Sequence, residues 1–307
     1  MLRTVLRHGL TGVLLGSLIG NAQARELDTA FGNVEVPDSP ERIVTLYEGA
    51  LDASVAAGVT PIGAIATRGG NEVAAYIGEH IDTGLLEMVG VARETNIEAV
   101  LRLEPDLILA APQLPEEQYR LLSRIAPTVV PASDGFSRDG WKAESRLYGQ
   151  ALGKEADIET VLENVEQRAA ALNERLSDAG IGGTAYLARW MPAGPMVMSS
   201  ELFATGVLAS TGLEVDDEGL VKEGSAHSDV LSLENLSMID GDWLFLATLN
   251  EEGQQALDAA EQSSAFTRLN VVKEGHVVPV NGQVWSSASG PLAAEVILND
   301  IEEALLP

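Results

Sequence analysis

The sequence predicts an α/β fold of two similar lobes, each built on a mainly parallel sheet, joined by one long helix and facing each other across a cleft. Three observations predict it. The first is a duplication: residues 97–111, IEAVLRLEPDLILAA, and 233–247, LENLSMIDGDWLFLA, match in register at a constant offset of 136. Glu98/Glu234, Val100/Leu236, Leu103/Ile239, Glu104/Asp240 and Asp106/Asp242 correspond, and an apolar run then ends at Ala111/Ala247. That pattern is a short helix, a turn and a buried strand, once in each half. The second is the stretch from Glu155 to Asp178, which lacks proline and glycine and repeats apolar residues at three- and four-residue steps from Ile158 to Leu176. It predicts a helix about 35 Å long at 1.5 Å per residue, and its place between the repeats makes it the connector. The third is size: about 280 residues beyond the N-terminal leader exceed one ordinary core and suit two lobes.

Taken in order, the chain opens with a leader. Arg3 and Arg7 form a basic region, Leu10 to Ile19 are apolar but broken by glycine, and Ala22-Gln23-Ala24 is an A-x-A cleavage pattern. The expected boundaries are 1–24 for a signal peptide, 25–153 for the first lobe, 154–180 for the connecting helix and 181–307 for the second lobe. Cleavage after Ala24 would place the protein in the periplasm, without a membrane-embedded segment. A membrane anchor is the alternative, and no stop-transfer pattern follows to support it.

In the first lobe, Arg42 to Leu46 reads as a buried strand, Asp52 to Ala57 as a helix closed by Gly58, and Pro61 to Ala66 as a second strand. Thr95-Asn96-Ile97-Glu98 has capping-box spacing, with Thr95 as N-cap. Leu107 to Ala111 is the next strand, Glu116 to Ile125 a helix, and Thr128 to Pro131 another strand; alternation of this kind argues for parallel pairing. Beyond the long helix, Thr184 to Trp190 matches the opening strand and Glu201 to Ser210 is a helix. Ser232 to Ala247 is the second repeat unit. His276 to Val280 is a strand and Leu292 to Leu305 the terminal helix. Gly180 to Gly183 precedes its strand, so it is no nucleotide loop.

Composition narrows the function. The formal charge is −27 with only four lysines, and removing the leader's two arginines makes it more negative still. Such a surface repels nucleic acid and anionic lipid. There is no cysteine, which rules out disulfides, Cys-ligated metal and a lipid-modified N-terminal cysteine. G-x-S-x-G, H-E-x-x-H and P-loop patterns are missing, and beyond the leader only His80, His227 and His276 remain, widely spread. The expectation is a binding protein that is not an enzyme and holds no resident cofactor. An exported hydrolase is the rival from another class.

Arg42 to Leu46, the Asp52…Gly58-Val59…Pro61-Ile62-Gly63 run, Val89-Gly90 followed by Asn96-Ile97-Glu98, Glu104-Pro105-Asp106-Leu107-Ile108 and Trp285…Gly290-Pro291 resemble the periplasmic ferric-siderophore binding proteins of ABC importers. The resemblance covers nearly the whole chain after the leader; each motif is loose, but their order and spacing are specific. It implies two α/β lobes joined by one long helix, an iron(III)-siderophore ligand between them, delivery to an inner-membrane ABC permease, and a monomer. Haem or cobalamin is the alternative ligand within the same fold.

Ligands of open α/β sheets sit beyond the carboxyl ends of the strands. The loops there carry Tyr47, Glu48, Arg68, Arg189, Trp190 and Trp285. A ferric chelate presents negative or strongly polarised oxygens, which calls for guanidinium groups, and a bulky body, which calls for flat aromatics. Arg189 is the leading candidate, because the family carries a basic ligand residue at that strand end. Arg93 resembles a second basic position, though its neighbour fits as well. Arg68 fits either a ligand contact or a solvated loop charge. Trp190 and Trp285 are expected on the cleft wall, Tyr47 fits wall or core, and His227 lies in a loop that contacts ligand in relatives. One or two arginines with two tryptophans point to a hydroxamate or citrate-hydroxamate chelate. Glu104, Asp106, Asp240 and Asp242 recur because turns before strands favour them, and they fall at the far strand ends.

Overall fold

The computed structural model describes residues 25–133 and 135–307; the expected leader, 1–24, lies outside the described residues. A hairpin of β1 (Arg25–Thr29) and β2 (Gly32–Val36) comes first. The first lobe follows: β3 (Ile43–Thr45), α1 (Glu48–Ala56), β4 (Gly63–Ala66), α2 (Ala75–Gly78), β5 (Glu87–Val91), β6 (Glu94–Thr95), α3 (Ile97–Arg102), β7 (Leu107–Leu109), α4 (Glu116–Leu122) and β8 (Thr128–Val129). Its sheet runs β6-β5-β4-β3-β7-β8, parallel except for β6. Next come α5 (Gly140–Leu152) and α6 (Glu155–Asp178). The second lobe has β9 (Thr184–Met191), β10 (Gly194–Val197), α7 (Phe203–Ser210), β11 (Glu214–Val215), β12 (Trp243–Thr248), α8 (Glu251–Glu261), α9 (Ser264–Thr267), α10 (Asn270–Lys273), β13 (Val277–Asn281), α11 (Gly282–Ser287) and α12 (Pro291–Leu305). Its sheet is β10-β9-β12-β13, with β9, β12 and β13 parallel and β11 alongside β9.

The two-lobe α/β class and the 24-residue helix α6 are as the sequence predicts. Several local expectations need correction. Asn96, not Thr95, caps α3, its side chain accepting from the Ala99 N–H at 3.0 Å. The second repeat unit forms a 3-10 helix, Leu233–Ile239, and Ser232 ahead of it makes no side-chain cap. Asn235 and Ser237 there compete with the backbone for hydrogen bonds, where α3 has Ala99 and Leu101. Trp285 lies in a helix, α11, rather than a loop. α5 and α8 have no counterpart among the elements expected from the sequence.

The repeated acids are structural, as expected. Asp106 accepts from the N–H groups of Glu41 and Arg42, Asp242 from that of Thr184, and Asp240 from those of Asn270 and Val271. All three hold the amino ends of strands or a helix start, away from the cleft.

One apolar core runs through both lobes. It joins Leu107 and Leu109 of β7, Ile158 to Leu176 of α6, Phe245 of β12 and Ile297 to Leu305 of α12. α12 packs on α6, α7, α11, α1 and α2, so it touches lobe one as well as lobe two. Arg168 and Arg175 of α6 clamp Glu295, Asn299 and Glu302 of α12. Bending α6 would break this network as well as its own backbone bonds. No helix among the described residues is long and apolar enough to cross a membrane.

Candidate functional site

The carboxyl ends of the parallel strands in both lobes point into the gap between them. From lobe one come Tyr47 and Glu48 after β3, the Thr67–Gly70 loop after β4 and the Ala92-Arg93 turn after β5. From lobe two come the end of β9 and the β13–α11 junction. The lobes approach closely here: a Cβ on Gly70 would lie 3.7 Å from the Gln283 side-chain nitrogen of α11. Gln283, whose polarity alone gave no signal in the sequence, thus belongs to the gap.

Arg189 is placed by the pleat. It pairs with Met196 on one side and Ala247 on the other, and its side chain shares the sheet face of Ala185 and Leu187, toward the inter-lobe core. The residue is only 3% exposed, yet its Nε has no hydrogen-bond partner. Burial first, and the positive charge of Arg68 second, lower its pKa. A guanidinium stays charged regardless, so the finding is an unmet demand for an anion. Two cations, one from each lobe, are brought near each other without a carboxylate between them.

Arg93 joins this rim. Ala66 of β4 pairs with Val91 of β5, and Arg68 and Arg93 each stand two residues further on, at the ends of adjacent strands. Arg93 holds a left-handed backbone, φ 71°, rare for a residue with a side chain. Among the described residues, most arginines are tied to carboxylates or carbonyls, such as Arg146 to Glu159 and Arg42 to Leu103. Arg68, Arg93 and Arg189 have no such partner, and all three sit at the cleft ends of strands.

Trp190 and Trp285, expected on the cleft wall, are core residues. Side chains alternate along a strand, so Trp190 must point to the opposite face from Arg189. It is 2% exposed in a separate core with Leu246 and Leu257, edge-on to Phe266. Trp285 is fully buried: it stacks on Phe245 with centroids 5.0 Å apart and donates its indole N–H to Asp300 at 2.7 Å. Neither lines the gap. His227 forms a bridge to Met198 at the edge of the second sheet and lines a separate cavity of about 280 Å³ with Lys222 and Ser225. Met198 lies opposite Leu187, so this pairing puts His227 on the sheet face that carries Arg189, beyond β10.

Tyr47 packs against the inter-lobe core and hydrogen-bonds with Ser289 and Glu144. Glu48 accepts from the Thr67 hydroxyl at 2.6 Å and from the Tyr76 hydroxyl at 3.2 Å, and burial raises its pKa. It therefore supports the Thr67–Gly70 loop from beneath. No group of three or more His, Asp or Glu residues that could hold a metal occurs among the described residues. What this arrangement can do chemically is hold a polyanion between guanidinium groups of two lobes.

The chain is similar to known binding proteins. Residues 67–283 match the family described as periplasmic binding protein. A probable siderophore-binding lipoprotein of Bacillus subtilis is 28% identical, over 94% of this chain and 90% of its own length. The Fe(3+) dicitrate-binding periplasmic protein of Escherichia coli is 25% identical, over 96% and 94%. Among solved structures, Staphylococcus aureus SirA in complex with staphyloferrin B superposes with a TM-score of 0.79 at 26% identity, covering 92% of this chain and 98% of that one.

Proposed function

The chain belongs to the periplasmic binding protein family, and from that premise we propose that it captures a ferric chelate between its lobes and hands it to an ABC-type importer. The observation that carries this reading is the approach of Arg68 and Arg189 from opposite lobes, neither of them paired with a carboxylate among the described residues. In a chain of formal charge −27, an acid could have been placed there; leaving the guanidiniums open reserves them for a ligand's oxygens.

The chelate we favour is of the carboxylate type. The hydroxamate expectation rested on tryptophans for flat walls, and both are core residues. The arginines remain, and they suit carboxylates bidentately. The E. coli relative's ligand, ferric dicitrate, is of this class. We further propose a leader cleaved after Ala24, lobes at 25–153 and 181–307 with 154–180 between them, a monomer, and binding without turnover. The Arg25 side chain supports the first of these, since it bonds the carbonyl of Pro37 after β2 and that of Ala151 at the end of α5, and so ties down the first residue after the cleavage pattern.

Calorimetric titration with ferric citrate, a ferric hydroxamate, haem and cobalamin tests the reading. Binding of ferric citrate in preference to the others is expected. Preference for haem or cobalamin would keep the fold and overturn the ligand.

A further inference from the structure

Beneath the Thr67–Gly70 loop lies a set of acids and hydroxyls that ligand contact does not use. Glu48 and Asp52 are one turn apart on α1, so their carboxyls share a face. Glu48 holds the loop through Thr67 and also takes the Tyr76 hydroxyl. Asp52 has no solvent exposure and accepts the N–H groups of Leu292 and Ala293, each at 2.9 Å. A lobe-one acid thus caps α12, whose own N-cap, Gly290, offers no side chain and whose first turn holds no acid. A Cβ at Gly290 would fall 2.4 Å from the Asp52 carboxyl carbon, so the fit leaves no room for another residue.

Among the described residues, no cation faces these acids. α2 contributes Tyr76; α5 contributes Glu144 and Tyr148; the loop before α12 contributes Ser289; and Tyr47 precedes Glu48 on α1 itself. β3 and β4 carry no titratable residue, and the buried residues of α6 are all apolar. Two carboxylates one turn apart in such a place do not both ionise readily; they titrate as a pair.

We propose that Glu48 and Asp52, with Tyr76 between them, form a proton-bearing strut that positions the Arg68 loop and couples it to α12 of the other lobe. Glu48 is a positioning residue here, acting on the ligand side through Thr67. Burial takes Asp52 up to about 8 and Glu48 upward from the ordinary carboxylate range. Between that ordinary range and pH 8 the native protein therefore holds a proton that the unfolded chain has released. The associated stability is complete in acid and is lost as pH rises through this window. Once the proton leaves, two like charges face each other in a dry site, and the α1–α12 contact and the loop loosen together.

The test uses the ligand-free protein, so its outcome is independent of which chelate binds. Hydrogen exchange of residues 67–72 and 292–294, corrected for intrinsic rates, is measured at pH 6 and 9 beside thermal melts in the parent, Glu48→Gln and Asp52→Asn. In the parent, both segments should lose protection at pH 9 and Tm should fall by roughly 2 °C or more, with a midpoint near pH 8. Glu48→Gln can still accept from Thr67 but carries no charge, so it should keep both segments protected at pH 9, while Asp52, raised chiefly by burial, still lowers Tm as it ionises. If Glu48→Gln loses protection in parallel with the parent, or the parent loses none, the strut is refuted. Should Asp52→Asn fail to fold, Glu48→Gln alone decides.

Discussion

Arg68 and Glu48 are joined through one residue, Thr67, yet the protein treats their charges in opposite ways. The rim above Thr67 is cationic, without carboxylate partners, and reaches across to Arg189 of the other lobe. The floor below it is acidic, without cations, and hydrogen-bonded to hydroxyls and helix N–H groups. Pairing rim with floor would satisfy both, and the fold keeps them apart. The difference teaches that charge left unmatched beside a cleft is directional: the rim waits for an anion from outside, and the floor meets its need with a proton.

The strongest way to break this comparison is to show that the tryptophans belong with the rim. Trp285→Ala should cost about 3–5 kcal/mol of folding stability, as a fully buried aromatic does, measured by urea denaturation. A variant that melts as the parent does but no longer holds ferric citrate would return Trp285 to the cleft.

Arg189→Ala sharpens the rim itself. Removing a buried charge-assisted donor should weaken ferric citrate binding by about 2–4 kcal/mol, roughly 30- to 1,000-fold by calorimetry. Because its Nε is unpartnered in the free protein, the ligand-free Tm should hold or rise. A fall in Tm with unchanged affinity would make Arg189 structural.

On the floor, Glu144 is raised to about 7 by burial, opposed only by its hydrogen bond with Tyr47. Its folded pKa lies above the unfolded value, so its contribution is full in acid and lost as pH rises to about 7. Glu144→Gln should therefore remove roughly 1–3 kcal/mol of the stability difference between pH 5 and pH 8. Unfolding curves at the two pH values check this, and an unchanged difference would mean that Glu144 is ionised throughout.

Arg93→Ala should have the smallest effect, below about 1 kcal/mol in chelate affinity and vanishing in high salt, because the side chain is solvated. A loss equal to that of Arg189→Ala would move the centre of the site onto lobe one.

Much of the architecture was legible in the sequence. Periodicity fixes α6 between Glu155 and Asp178 because neither proline nor glycine interrupts its apolar stripe, and the duplicated unit announces two lobes. α5 was missed because Trp141, Ser145 and Tyr148 bury a polar and aromatic face, which a search for aliphatic spacing passes over. Trp190 could have been placed from sequence alone, since a strand that sends Arg189 to one face sends its neighbour to the other.

The sequence by itself determined the two-lobe class, the connector, the acidic surface and the strand-end arginines, because periodicity and charge are local properties of the chain. Only the tertiary structure decided that Trp285 is core, that Gln283 meets Gly70, and that Asp52 caps a helix 240 residues away. Those outcomes depend on which faces the lobes bring together. Hydrogen bonds and burial between distant segments leave no periodic trace along the chain, and a polar side chain reads the same in sequence whether its partner is water, a ligand or a helix end.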